Sequence, residues 1–121
     1  MMKHETHDDA LILQPAGRID GATAAAFETA AIALIETVGT HVVIDMSNVD
    51  YLSSAGLRSL LIIAKRVKSD GRPASLCGLG GNVAEVISVS GFDAIFGVFP
   101  DSEAALSFGR RPKGADQIDK S

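Results

Sequence analysis

The chain has 121 residues and carries 11 basic against 15 acidic side chains, a formal net charge of −4. This length fits one domain, and 46% hydrophobic with 21% charged residues is a composition typical of globular proteins. The acidic balance argues against direct nucleic-acid binding, which needs a basic patch. Because Cys77 is the single cysteine, an internal disulfide and a multi-cysteine zinc site are excluded.

Both ends of the chain are mostly polar. We predict a flexible N-terminus over residues 1–8, a folded domain over 9–109 and a flexible tail over 110–121. The N-terminus is charged where a secretory signal would be apolar, and no stretch approaches the roughly 20 apolar residues of a membrane span. We therefore expect a cytoplasmic protein without membrane insertion.

The first half alternates strand and helix patterns. Ala10–Gln14 is a short apolar run typical of a strand, and a brief second strand is expected over residues 18–20. A helix should follow, capped by Thr23 or Asp20 and stopped at Gly39. Its apolar face repeats at helical spacing through Phe27, Ala31, Leu34 and Val38. His41–Asp45 has the continuous aliphatic run of a strand covered on both faces.

The second half continues this alternation. A polar loop is expected over residues 46–54, and then a second helix with one apolar face, formed by Leu57, Leu60, Leu61 and Ala64. Strands are expected over 74–79 and 95–99. A capping box formed by Asn82 and Glu85 predicts a short third helix, and Asp101 begins a closing helix.

The alternation predicts an α/β domain, with a mostly parallel or mixed sheet of about five strands and about four helices. In such sheets, ligands and partners meet the loops at the carboxyl ends of strands. The most distinctive of these loops runs from Asp45 to Gly56. Within it, Ser53 and Ser54 meet the start of the second helix. A serine there can cap the helix, worth about 1 kcal/mol, or can accept a phosphate, because a helix start stabilises an anion.

The same loop resembles the motif of STAS domains, specifically bacterial anti-sigma-factor antagonists. The matching residues are Asp45, Ser47, Tyr51, Leu52, Ser54, Gly56 and Leu57, preceded by Gly17-Arg18-Ile19-Asp20 and Thr23. In that family an aspartate precedes the phosphorylated serine and a serine or threonine follows it. Here Ser53 and Ala55 occupy those two positions. The resemblance therefore implies Ser54 as the phosphorylation site and leaves Ser53 as a rival.

The resemblance implies a partner-switching antagonist. Its partners would be an anti-sigma factor that is a serine kinase of the histidine-kinase-like ATPase type, and a serine phosphatase that resets the switch. Unmodified antagonist would bind the kinase, and phosphorylation would end that binding through added charge. The partner-binding residues expected on this basis are Asp20, Asp45, Ser53, Gly56, Leu57 and Arg58.

Several of these residues also have a purely structural interpretation. Asp20 can be a turn or capping carboxylate, Asp45 a strand-end aspartate, and Arg58 a solvated helix charge. Gly56 costs helix propensity, so it serves either the close approach of another chain or the packing of Leu57. The sequence leaves each pair of interpretations open.

Other functional classes find little support in the sequence. We expect no Ser–His catalytic pair, because His41 begins a strand at the end opposite Ser54. We therefore expect a binding protein that is not an enzyme and has no cofactor and no metal site. Within the same family the alternative is a STAS subunit of a membrane lipid-transport ATPase. A small enzyme or nucleotide sensor is a third class.

Overall fold

Strands and helices alternate along the computed structural model, which describes residues 2–7, 10–37, 41–92 and 95–109. The strands are β1 (Lys3–His7), β2 (Ala10–Gln14), β3 (Ala16–Ile19), β4 (His41–Asp45), β5 (Asn48–Leu52), β6 (Ala74–Cys77) and β7 (Gly97–Phe99). The helices are α1 (Ala24–Ile35), α2 (Ser54–Ser69), α3 (Gly81–Ser90) and α4 (Ser102–Gly109).

The main sheet has five strands in the order β1-β2-β4-β6-β7. Strands β2, β4, β6 and β7 are parallel, and β1 joins β2 antiparallel at the edge. Each parallel connection crosses over through at least one helix, as parallel pairing requires. The prediction of an α/β domain with a mostly parallel, mixed sheet of about five strands and four helices is confirmed.

A second, two-stranded sheet pairs β3 with β5 in parallel. Its register runs from Ala16 opposite Asn48 to Ile19 opposite Leu52, with an irregularity between Gly17 and Arg18. The prediction of an unstructured polar loop over residues 46–54 is therefore wrong. Only Val49 and Leu52 of β5 are buried, and the residues around them are polar or half-buried, so this strand looks polar in sequence.

The two faces of the main sheet carry cores of different size. Val42 and Ile44 of β4 point into the larger core, which α1, α2 and α3 cover. Val43 and Cys77 belong to the smaller core, to which α4 contributes Ala105 and Leu106. This alternation along one strand explains the continuous aliphatic run in β4, because helices cover both of its faces.

The N-terminal segment was predicted to be flexible, and this is wrong for Lys3–His7. All five of its side chains are exposed, but its backbone pairs with β2 from Lys3 opposite Gln14 to His7 opposite Ala10. Main-chain hydrogen bonds hold β1 at the edge of the sheet, although it has no apolar side chain. The composition of this segment therefore could not reveal the strand. Charged residues on such an edge also discourage pairing with another chain.

Helix ends differ in part from their predicted positions. Thr23 precedes α1 but makes no side-chain capping bond, and the predicted stop at Gly39 lies outside the described residues. Helix α3 begins at Gly81 after an uncapped Gly80, so the Asn82 capping box is wrong. The predicted start of α4 is confirmed, because the Asp101 carboxylate accepts a hydrogen bond from the Ala104 N–H at 2.9 Å.

The buried face of α2 is wider than its leucines indicated. Leu60 and Ala64 are buried, whereas Leu57 and Leu61 lie at the margin and remain partly exposed. The other buried residues of the helix are Gly56, Ser59, Ile63 and Val67. Across the parts of the chain that are described, no helix is long and apolar enough to span a bilayer. The predicted tail over residues 110–121 falls outside them.

Candidate functional site

The candidate site lies where β3, β5 and the start of α2 meet; we call residues 18–20 and 51–56 the serine corner. Strand pairing places Arg18 beside Tyr51 and Ile19 beside Leu52. Just beyond the pairing, the Ser53 N–H donates to the Ile19 carbonyl at 3.0 Å. The small sheet therefore fixes the point from which α2 departs.

Ser53 is the N-cap of α2. Its hydroxyl oxygen accepts a hydrogen bond from the Gly56 N–H at 3.2 Å and donates to the Ile19 carbonyl, also at 3.2 Å. Its backbone is extended, as an N-cap requires. Ser53 is half-buried, and its hydroxyl is used in both hydrogen-bonding directions. This serine has a structural role in the fold.

Ser54 is the first residue of α2 and is exposed. No hydrogen bond joins its hydroxyl to another of the described residues. The backbone N–H groups of the first helical turn and the helix dipole favour negative charge at this position. Ser54 therefore offers a free hydroxyl where a phosphate group would be tolerated.

Gly56 is buried, and its neighbours leave no room for a side chain. A Cβ atom there would lie 2.6 Å from Leu52 Cδ1 and 2.7 Å from the Ile19 carbonyl oxygen. Because both neighbours belong to this chain, the need for glycine is explained by the packing of α2 on the small sheet. Contact between Gly56 and a partner stays a prediction.

Asp20 closes the turn between β3 and α1. One carboxylate oxygen accepts hydrogen bonds from the Ala22 N–H at 3.0 Å and the Thr23 hydroxyl at 3.3 Å. The other accepts from Arg18 Nε at 3.2 Å. The pKa of Asp20 is lowered, first by the Ala22 N–H and then by Arg18, because both stabilise the carboxylate. Asp20 is thus an ionised, partly exposed carboxylate that directly follows Ile19, the residue to which Ser53 is bonded.

Arg18 is a member of the corner for which the sequence predicted no role. Its guanidinium carbon lies 4.3 Å from the centre of the Tyr51 ring, a cation–π contact. Contacts with the Tyr51 ring and with Asp20 hold the Arg18 side chain. Because the side chain is 62% exposed, it still has room to move. The contact depends on β3 pairing with β5, which no local pattern revealed.

The remaining predicted residues lie at the end of β4 and in the first two turns of α2. Asp45 is half-buried at the end of β4, and its carboxylate accepts the Ser47 N–H at 3.0 Å, so it orders its own turn. Leu57 packs at the edge of the core, and Arg58 is exposed on α2. Their contacts with a partner stay predictions.

Cys77 lies buried beneath the Asp45 turn. Burial, with the nearby carboxylates of Asp45 and Asp101, raises the pKa of its thiol to about 12. A thiol with so high a pKa stays protonated at neutral pH and is a poor nucleophile. Cys77 therefore acts as a small core residue.

His41 and Ser75 form a separate polar contact at the other end of α2. The ring Nε2 of His41 lies 2.8 Å from the Ser75 hydroxyl, and both residues are buried. Burial lowers the pKa of His41. Helix α2 spans 16 residues, about 24 Å, and leads from Ser54 back to β6, which contains Ser75. His41 is thus remote from Ser54. Within the described ranges, no cluster of three or more His, Cys, Asp or Glu residues could hold a metal ion.

Comparisons with known proteins agree with this architecture. Residues 1–105 match the family model of the STAS domain. BtrV of Bordetella bronchiseptica, named as an anti-sigma factor antagonist, is 38% identical over 100 residues, which cover 83% of this chain and 86% of BtrV. The crystal structure of an anti-sigma factor antagonist from Mycobacterium paratuberculosis is 28% identical, with a TM-score of 0.85 over 92% of this chain and 94% of that one.

More distant structures share the fold alone. SpoIIAA, called a Bacillus cell fate determinant and an anti-sigma factor antagonist, has been solved in two states. Its unphosphorylated form is 14% identical, with a TM-score of 0.71 over 86% of this chain and 92% of that one. Its phosphorylated form is 13% identical, with a TM-score of 0.66 over 86% and 96%. The protein belongs to the STAS domain family, among relatives named as anti-sigma factor antagonists.

Proposed function

We propose that this protein is a cytoplasmic anti-sigma factor antagonist whose serine corner binds an anti-sigma factor. That partner is a serine kinase of the histidine-kinase-like ATPase type, and it phosphorylates Ser54. Binding of the unmodified antagonist releases the sigma factor, and phosphorylation of Ser54 ends the binding. A serine phosphatase restores the unmodified state.

The observation that carries this proposal is that the two serines differ in hydrogen bonding and in exposure. The Ser53 hydroxyl is half-buried and bonded to both Ile19 and Gly56, so phosphorylating it would break the cap and its contact with β3. Ser54 is exposed, and its hydroxyl has no partner among the described residues. The geometry therefore favours Ser54 over Ser53 as the acceptor of the γ-phosphoryl group of ATP.

The negative charge of the phosphate would weaken partner binding. A phosphoserine adds about −1.5 to −2 charges at neutral pH to a chain with a net charge of −4. The corner already holds the Asp20 carboxylate, so the phosphate would add to negative charge that is present there. A loss of about 2–3 kcal/mol of binding free energy would weaken the complex roughly 30- to 150-fold. The relatives support this proposal, since SpoIIAA exists in phosphorylated and unphosphorylated forms.

The test starts from the partner that co-purifies with the untagged protein. Its affinity is measured by calorimetry for the wild type, Ser54→Asp and Ser54→Ala. We expect Ser54→Asp to weaken binding and Ser54→Ala to retain most of it, because aspartate supplies part of the phosphate charge. Ser88→Asp is the matched control, since Ser88 is an exposed serine on α3. It should bind like the wild type.

Phosphorylation is tested with the same partner and ATP. Mass spectrometry should find one phosphate, on Ser54. Incorporation at Ser53, or none by a kinase that binds, would contradict the assignment. If the co-purifying partner is a transporter subunit, the lipid-transport alternative replaces the signalling function.

A further inference from the structure

The arginine of the serine corner has an acidic partner that a phosphate can displace. Arg18 Nε lies 3.2 Å from an Asp20 carboxylate oxygen, and the two side chains are 62% and 26% exposed. An ion pair this exposed contributes little to stability, so it breaks readily when a stronger anion is near. Asp20 keeps its hydrogen bonds from Ala22 and Thr23 without the arginine.

Strand pairing places Arg18 near the start of α2, where Ser54 is the first residue. Arg18 pairs with Tyr51 across the small sheet, and its neighbour Ile19 accepts two hydrogen bonds from Ser53. The guanidinium therefore rests on the tyrosine three residues before Ser54. An arginine side chain offers several N–H donors in a planar fork that fits phosphate oxygens. The cation–π contact with Tyr51 keeps that fork at the corner while its anionic partner changes.

We propose that Arg18 exchanges its carboxylate partner, Asp20, for the phosphate when Ser54 is phosphorylated. This inference rests on the proposed phosphorylation of Ser54 and adds a receptor within the same chain. The exchange is favourable because a phosphate of about two negative charges attracts Arg18 more strongly than one carboxylate does. No backbone movement is needed, since only the end of an exposed side chain turns.

The exchange has a consequence for the partner-binding face. Once Arg18 leaves, the Asp20 carboxylate stands without its arginine beside a new phosphate. The face that carried a paired Asp20 and a neutral Ser54 then presents an unpaired carboxylate and a phosphate held by Arg18. Phosphorylation thereby adds negative charge at Ser54 and leaves the unchanged charge of Asp20 without its arginine. Arg58 is the second arginine that a phosphate meets, because it lies four residues further along α2, on the same helical face.

The test uses full-length protein in which phosphoserine is inserted at position 54 during translation, so it needs no kinase. The phosphate pKa is measured by ³¹P NMR. We expect Arg18→Gln to raise this pKa by about 0.3 to 0.7 units, because the cation favours the dianion. Arg18→Lys keeps a charge but not the fork and should fall between. Arg66→Gln is the matched control, since Arg66 pairs with Glu36 and Asp70 at the far end of α2. An unchanged phosphate pKa in Arg18→Gln would overturn the proposal.

A second measurement separates exchange from sharing. The pKa of Asp20 is followed by carboxyl ¹³C NMR with and without Arg18→Gln. In the unmodified protein the substitution should raise it, and in the phosphoprotein it should have no further effect. An equal rise in both would show that Arg18 stays with Asp20. Kinase assays decide the proposed function separately: a protein that no kinase modifies can still show the exchange, and a true substrate can lack it.

Discussion

Two serine-containing sites lie at opposite ends of α2 and differ in their access to water. The serine corner is open: Ser54 is exposed, and Arg18 and Asp20 meet solvent. The His41–Ser75 pair is buried, with Ser75 1% and His41 3% exposed. Both sites contain a serine, but only the open one presents a hydroxyl to solvent. The comparison teaches that exposure, more than residue type, separates a serine accessible for modification from a structural one.

The largest effect is expected from Gly56→Ala in the serine corner. Its new Cβ would lie 2.6 Å from Leu52 Cδ1 and 2.7 Å from a backbone oxygen, and backbone cannot give way as a side chain can. We expect a loss of about 2–3 kcal/mol in the free energy of unfolding, measured by urea denaturation. Gly21→Ala is the control, because nothing lies within 4 Å of its Cβ position. Equal stability of both variants would contradict the close packing of α2 on β3.

Ser75→Ala should cost about 2 kcal/mol in the free energy of unfolding. It removes the partner of His41 Nε2, and His41 Nδ1 is already buried without a hydrogen bond to any of the described residues. Ser54→Ala should change stability by less than about 0.5 kcal/mol, as an exposed surface substitution does. If the two variants unfold at the same urea concentration, the buried and the open serine do not differ in their contribution to stability.

Within the corner, Ser53→Ala should destabilise the protein by about 1 kcal/mol, because it removes the N-cap of α2. Asn82→Ala is the control: its side chain makes no capping bond at the start of α3, so little should change. Thermal unfolding followed by circular dichroism measures both. A greater loss for Asn82→Ala than for Ser53→Ala would reverse the assignment of the caps.

The smallest effect concerns pH. Burial lowers the pKa of His41, so the unfolded chain takes up a proton near pH 6.5 while the folded protein takes it up only at lower pH. Below about pH 6.5 the unfolded state therefore binds more protons, and the free energy of unfolding falls.

The contribution of His41 is measured by urea denaturation at several pH values between about 7.5 and 5. His41→Gln should reduce the fall in the free energy of unfolding at low pH. His4→Gln should leave that fall unchanged, because His4 is exposed on β1. Asp20 acts in a different window: its lowered pKa means that its contribution is lost only as pH falls below about 4. A loss of stability near pH 6 that persists in His41→Gln would assign it to other groups.

Much of the architecture was predictable because it is encoded locally. The apolar runs of β2 and β4 predicted strands, that of β4 covered on both faces, and the alternation with helices predicted a mostly parallel sheet. The start of α4 followed from Asp101, whose carboxylate makes the expected capping bond. The Asn82 capping box failed because α3 begins at Gly81, before the residue that should have capped it.

By itself, the sequence determined the order of the helices and of the apolar strands, the segment that carries the two serines and the resemblance to STAS domains. Tertiary structure decided the rest. Strand β5 looks polar, and it exists because its backbone pairs with β3. The same pairing gives Ser53 a partner in Ile19, 34 residues away, leaves Ser54 free and sets Arg18 on Tyr51. Such contacts join residues that are distant in the chain, so no local periodicity encodes them; packing and burial decide strand partners.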